Sequence, residues 1–419
     1  MFLNAHIIQS VPASCLNRDD TGSPKTMIFG DNNGIRDRLS SQSQKAAVRT
    51  AMRESDTNRT FRSTRIIGKI AQVIANGTEL SRDHIFDATS IAIESGLLNC
   101  DNLNNYITKT TKELQQHDPD FDPKSYDPYL VPPLLPALFY IDDASVEHLG
   151  VIAREFIGQH GSLPFTFKGK EHPKKGKALP SNKSIPKEAV TKFKTDLDIV
   201  KESSSVEINL FGRMNANNPT LSIDAAAQVA HAMSVSNSIS QSDFYTALDD
   251  LEDGHSGGAM MGTIEFSSPV FYRYANINLT ELVSRHLLVN SREVVAERVS
   301  EFIRAFITTL PSGKQSSFAA VTMPDAVLIT LSDAPVNYAN AFVTPISGKL
   351  IEGATKALTE RHIRIGEKLG IASTAISLAV EAAAERVFSG MNIPAAEENE
   401  MTDGLSSIIE FVREAVRAE

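Results

Sequence analysis

The first fifty residues constrain this chain more than any other stretch. An apolar, β-branched run, Ala5-His6-Ile7-Ile8-Gln9-Ser10-Val11, reads as a strand over residues 3–11. A loop over 12–40, rich in Asn, Asp, Gly and Pro, follows and carries Arg18, Lys25, Arg36 and Arg38. Ser40 or Ser41 then stands where a helix cap belongs, ahead of a helix to about Arg53. Lys45, Arg49 and Arg53 recur at i, i+4 and i+8, so they share one helix face. Backbone N–H groups at a helix start attract anions. Ser40, Ser41 and Gln42 add hydrogen-bonding groups, and Arg38, Lys45 and Arg49 add charge; a phosphate backbone needs that mixture. Residue types alone favour a plainer reading, a solvated basic helix with an ordinary serine cap.

The bulk numbers set the frame. With 419 residues the chain has room for two or three domains, and 42% hydrophobic against 22% charged residues marks a core-forming protein. The net charge of −10 argues against a uniformly basic nucleic-acid binder. Two segments run the other way: Arg18 to Arg65 has ten Lys/Arg against six Asp/Glu, and Lys168 to Lys201 has ten Lys against four. An acidic protein with two basic faces can hold a polyanion along them and stay soluble elsewhere. Only Cys15 and Cys100 are present, which excludes a disulfide framework and points to a reducing compartment. No signal peptide and no bilayer-length apolar stretch is evident, so the expected setting is cytoplasmic, without a membrane.

Further along, helices are expected over Ser81–Glu94, Asn102–Gln116 and 143–158, separated by Pro-rich irregular chain. Val206-Glu207-Ile208-Asn209-Leu210-Phe211 alternates and reads as a strand ending at Gly212-Arg213-Met214. Ser222 opens a predicted helix to His231, 233–266 is turn-rich, and Val270–Asn276 reads as a strand. Val295, Val299, Phe302, Ile303, Phe306 and Leu310 have helical spacing, Ala326–Leu331 is the last clear strand, and 347–419 reads as alanine-rich helices. The order strand, helix, strand, strand, helix, strand predicts an α+β fold of the ferredoxin-like or RRM-like kind, with large insertions.

Several constellations carry two readings. The lysine-rich stretch 168–201 suits a phosphate backbone or a solubilising loop. Met214, at a predicted strand end, suits a wedge against a base or ordinary packing. Phe244-Tyr245-Thr246 suits base stacking or a small hairpin core. Asp249-Asp250, Glu252-Asp253 and His255 fit neither an EF-hand nor a zinc spacing, so no metal is assigned. Gly313-Lys314 ends like a Walker A loop, but Thr308 stands where Gly is required and Gln315 where Ser or Thr is. No catalytic triad and no cofactor motif assembles, so catalytic residues and cofactors are both expected to be none.

Taken in order, these segments resemble the CasC family, the backbone subunit of the type I-E CRISPR surveillance complex, Cascade. The resemblance rests on Cys15-Leu16-Asn17-Arg18-Asp19-Asp20, Lys25, Phe29-Gly30, Arg38, Ser40-Ser41-Gln42-Ser43, Lys45 and Arg49. It continues through Gly212-Arg213-Met214, Ala230-His231-Ala232 and Phe244-Tyr245-Thr246-Ala247-Leu248-Asp249-Asp250-Leu251. Gly262–Ser268, Phe271–Ile277, Pro311-Ser312-Gly313-Lys314-Gln315 and Asn340-Ala341-Phe342 complete it, so it covers roughly 1–53 and 206–345.

The resemblance implies an RRM-like palm (1–55, 200–232 and 267–346), a helical fingers insertion (56–199) and a β-hairpin thumb (233–266). A C-terminal helical extension (347–419) lies beyond it. It implies a non-catalytic subunit that polymerises head to tail along a CRISPR RNA and kinks it at intervals. The bases stay free to pair with target DNA, and other Cascade subunits are the remaining partners. Arg18, Lys25, Arg38, Ser40, Gln42, Lys45 and Arg49 then look like guide-backbone contacts, Met214 like a palm wedge, and Phe244, Tyr245 and Thr246 like thumb residues. Lys187, Lys192 and Lys194 sit where relatives carry DNA-steering lysines. The chain departs from the family at Asp31-Asn32-Asn33, where relatives tend to carry glycine and basic residues. It departs also at Gln44 and Ala46, which replace an apolar residue and an arginine, and at Ser236-Asn237, which stands where a threonine-histidine pair is usual. The alternative is an RNA-cleaving backbone subunit like those of type III complexes, with Asp31 as its candidate aspartate.

Overall fold

Residues Phe2–Ser10 form strand β1, and the sheet of the larger unit is built outward from it. The structure, a computed structural model, describes residues 1–53, 59–76, 88–89, 103–122, 134–135, 138–160, 195, 205–214, 221–247, 260–286, 291–398 and 402–419. The chain divides into two units, Met1–Ser55 with Ala226–Glu419, and Asp56–Ala225. The predicted helix over Ser81–Glu94 falls almost wholly outside the described residues, as do Lys187, Lys192, Lys194, the stretch 168–186 and the acidic cluster from Asp249 to His255.

In the first unit, β1 is followed by β2 (Thr26–Ile28), β3 (Ile35–Leu39) and helix α1 (Ser41–Arg53). After the second unit come β6 (Ala227–Val229), β7 (Ala232–Ser234), β8 (Gln241–Ala247), β9 (Met260–Phe266) and β10 (Val270–Asn278). Helices α6 (Leu279–His286), α7 (Arg292–Thr308) and α8 (Gln315–Phe318) lead to β11 (Ala326–Ser332). The chain closes with α9 (Leu350–Leu369), β12 (Ser373–Ala379), α10 (Ala382–Gly390) and α11 (Gly404–Ala418). The sheet runs β12-β11-β1-β10-β7-β3-β2, with β6 also on β10, and its ladders are antiparallel. Among the described residues β8 and β9 pair only with each other, as an exposed hairpin.

β1 is buried on both faces, which explains why Leu3, Ala5, Ile7 and Ile8 do not alternate with exposed residues and why its polar Asn4, His6 and Gln9 are enclosed as well. Ile7 pairs with Arg273 of β10, and on that face the Arg273 guanidinium is fully enclosed. It donates to Gln9 Oε1 (2.6 Å), to Gln44 Oε1 of α1 (3.3 Å) and to the Phe306 carbonyl of α7 (2.7 Å). Burial pulls its pKa down to about 9, which still leaves it charged at neutral pH. The guanidinium lies 4.7 Å from the Phe306 ring, and on the same helix Val299, Phe302, Ile303 and Phe306 are buried, each contributing about 1.5–3 kcal/mol.

The other face of the sheet is covered by the C-terminal segment. Ile8, Tyr272 and Leu328 pack with Ala354 and Leu358 of α9 and with Ala384 and Phe388 of α10. His6 stacks on Tyr338 at 4.3 Å and bonds to the Tyr272 hydroxyl at 2.9 Å, while Tyr338 bonds to His362 at 3.0 Å. Burial, and for His6 also His362, lowers both histidine pKa values.

The second unit contains β4 (Thr60–Ser63), α2 (Ile66–Ala75), α3 (Leu103–His117), β5 (Phe139–Asp142), α4 (Asp143–His160) and α5 (Val206–Phe211). Ile67, Ile70 and Ile74 of α2 are buried, as are Val146, Leu149 and Ala153 of α4. Gly150 allows the close approach of these helices, since a Cβ there would lie 2.5 Å from Val73 Cγ1.

Four expectations are corrected. Residues 206–211 are helix, not strand: Ser205 caps the turn by accepting from the Ile208 amide, and all six side chains are buried, so alternation carried no facial information. The buried Glu207 takes the Tyr140 hydroxyl at 2.7 Å. The predicted helix from Ser222 to His231 is replaced by β6, because pairing of Val229 with Ala275 overrides alanine propensity. The loop 12–40 contains β2 and β3, short strands whose exposed Ile28 and Ile35 hid their pattern. Finally, 347–419 is not wholly helical, because β12 pairs with β11 along its whole length.

Two outcomes follow. Arg273→Met should cost about 3 kcal/mol in urea unfolding followed by circular dichroism, since it leaves three buried acceptors unmatched; an unchanged midpoint contradicts this. His6 and His362 resist protonation in the fold, whereas the unfolded chain takes up protons near pH 6.5. Unfolding free energy should therefore fall as pH drops from about 7.5 to about 5.5 and stay flat above. A rise over that interval contradicts the assignment.

Candidate nucleic-acid interface

The interface begins with a loop that holds its own shape. The Asp19 carboxylate accepts from the Thr21 and Ser23 amides, each at 3.0 Å, and from the Thr21 hydroxyl at 2.7 Å. These bonds keep its pKa below the usual carboxylate range. Arg18 bridges to Pro24, and the Lys25 amide donates to the Asn17 carbonyl. One strand away, the Arg38 amide donates to the Lys25 carbonyl at 2.8 Å, so Lys25 and Arg38 are neighbours.

β3 hands directly into α1. Ser40 is the cap: its hydroxyl accepts from the Ser43 amide at 3.2 Å, and its own amide donates to Asn17 Oδ1 at 2.9 Å. Ser40 is therefore buried and occupied in holding the helix start, while Gln42 is exposed. Lys45 and Arg49 follow one and two turns later, both half-buried. Beside this basic ridge, Ser43, Ala46, Ala47, Thr50 and Ala51 line a groove of about 530 Å³ against residues 309–313. Gly313 closes its floor, because a Cβ there would lie 2.2 Å from the Leu16 carbonyl oxygen.

Arg18, Lys25, Arg38, Lys45 and Arg49 thus lie along one run of chain, the 18–25 loop, β3 and α1, whereas Arg36 is buried and donates to the Ser234 and Phe342 carbonyls. Phe244, Tyr245 and Thr246 belong to the same unit, on the exposed β8–β9 hairpin. Phe244 is 64% exposed and pairs with Thr263, while the Tyr245 ring lies over Gly262. An isolated two-stranded hairpin is marginal in water, so Tyr245 over Gly262 is a local support. Met214 is 88% exposed but belongs to the other unit. Asp31 follows Gly30, which has a left-handed φ of 81°, and its carboxylate accepts from the Thr344 hydroxyl at 2.7 Å. Among the described residues no group of three His, Cys, Asp or Glu side chains could hold a metal ion.

Three residues that sequence reasoning did not count as functional organise this surface. Asn17 bonds both the Lys25 segment and the helix start. Gln44, a departure from the family pattern, is buried and joins the Ala230 carbonyl (2.9 Å) to Arg273. His231 meets Arg38 and the first amide of α1. Asn17 and His231 were marked only by position within the resembling motifs and Gln44 only as a departure from them, because what each does depends on partners that the local sequence does not show.

The chain is similar to a chain of a solved structure described as a CRISPR RNA-guided surveillance complex, pre-nicking. It is 28% identical, with a TM-score of 0.72, over 99% of this chain and 100% of that one. A second, described as a CRISPR RNA-guided surveillance complex, is 25% identical, with a TM-score of 0.62, over all of both chains. No curated protein matches. The model of the CT1975-like protein family matches residues 3–405, so the chain belongs to that family, in line with the CasC-type recognition read from its motifs.

Proposed function

We propose that this protein is a non-catalytic CRISPR RNA-binding backbone subunit of a Cascade-type surveillance complex, of the type I-E kind. The observation that carries the reading is a capped basic helix joined to the Arg18, Lys25 and Arg38 cluster in a unit that also extends an exposed aromatic hairpin. Cations beside a helix start suit phosphates, and exposed aromatics suit bases. The strand order β11-β1-β10, continued by β6 and β7, with α1 and α7 on one face, supports an RRM-like palm. Its opposite face is taken up by the C-terminal elements, so the reading puts RNA on the loop and helix edge instead.

In this reading copies assemble head to tail along the guide. Each hairpin, as a thumb, reaches the neighbouring copy's guide segment and kinks it with Phe244, Tyr245 and Thr246, while Met214 wedges against a base. Lys187, Lys192 and Lys194 steer target DNA, which pairs with the exposed guide bases. The likeness to chains of two RNA-guided complexes supports the guide and the other subunits as partners.

Charge reversal at both Lys45 and Arg49 should abolish co-purification of guide RNA, read as the ratio of absorbance at 260 and 280 nm; an unchanged ratio sinks the reading. Phe244→Ala should weaken RNA binding by about 1–3 kcal/mol with little change in unfolding, because the side chain is exposed. Wild-type affinity in that variant removes the stacking role.

A further inference from the structure

Two donors converge on one nitrogen of His231. The Ser41 backbone amide reaches Nδ1 at 3.2 Å, and Arg38 Nη1 reaches it at 3.4 Å. An amide N–H and a guanidinium only donate, so Nδ1 must be the acceptor and the ring proton sits on Nε2. Burial first, then Arg38 and Lys25, lowers the pKa of the ring, so it is neutral at pH 7. His231 is exposed overall, which leaves Nε2–H as an outward donor of fixed tautomer between β3 and the start of α1.

We propose that His231 Nε2–H donates a hydrogen bond to a phosphodiester oxygen of bound RNA, fixing the register of the backbone at the start of α1. The proposal rests on the RNA-binding reading above. Arg38 and Lys25 supply charge at this place, and charge alone attracts a polyanion without choosing where along it to hold. A neutral donor locked by two hydrogen bonds adds direction and no charge. The two contributions therefore separate with salt. Phosphate neutralisation by Arg38 appears in the slope of log affinity against log salt, whereas a neutral hydrogen bond appears as a constant offset.

The test titrates the full-length protein with fluorescein-labelled single-stranded RNA, and with DNA of the same sequence, over a range of salt. His231→Asn keeps an acceptor near Nδ1 for the Ser41 amide and removes the outer donor. His231→Gln places an amide nitrogen near the position of Nε2. His231→Asn should lose affinity roughly tenfold on both RNA and DNA, with the wild-type salt slope. His231→Gln should recover part of the loss, and Arg38→Ala should flatten the slope by about 0.7. Wild-type affinity in His231→Asn, a loss confined to RNA (a 2′-hydroxyl contact), or a flattened slope like that of Arg38→Ala overturns the proposal. If the wild-type protein binds neither probe, the RNA-binding reading fails and this proposal with it. If Arg38→Ala behaves as expected and His231→Asn matches wild type, only this proposal fails.

Discussion

The enclosed guanidinium of Arg273 is the interaction on which the larger unit depends. It joins the central strand at Gln9, helix α1 at Gln44 and helix α7 at the Phe306 carbonyl. Arginine suits the place because its planar fork reaches several acceptors in fixed geometry, which a lysine ammonium does not. The cost of burying a charge is offset only when each acceptor is in position, so the cluster selects one arrangement of α1 on the sheet. Gln44 also reaches the Ala230 carbonyl, one residue before His231. The orientation of the basic helix is thereby tied to the buried network beneath it.

Above that network, the surface is ordered by backbone amides and small polar side chains. Asn17 and Ser40 hold the helix start, Asp19 holds the preceding loop, and His231 accepts the Ser41 amide. Lys25 and Arg38 are thus held by main-chain hydrogen bonds on neighbouring segments. The hairpin is the opposite case, a ladder with exposed side chains on both of its strands. Such a surface gains most when a partner covers it.

Legibility in the sequence followed burial. β1, β10, β11 and α7 were readable because their apolar residues match the faces they bury, and α1 because its serine cap and the spacing of Lys45, Arg49 and Arg53 mark a helix start and one helix face. Residues 206–211 misled because burial on all sides erases the difference between period two and a helical turn. β6 was hidden by alanines whose helix propensity lost to pairing with β10, and β7 by its place at the start of a stretch that reads as turn-rich. β12 was hidden in a segment that reads as helix on both sides of it. Of the interface, the cations and the serine cap were visible as residue types in order. The roles of Asn17, Gln44 and His231 were not, because each depends on a partner distant in sequence.

The central claim is that guide RNA lies along the 18–25 loop and α1 and beneath the aromatic hairpin. Ultraviolet crosslinking of the co-purified complex, read by mass spectrometry of nucleotide-bearing peptides, tests it most directly. The account predicts crosslinks within residues 15–53 and 239–247. Crosslinks confined to α9 and α10 would contradict it, since those helices cover the face of the sheet that the account leaves without RNA.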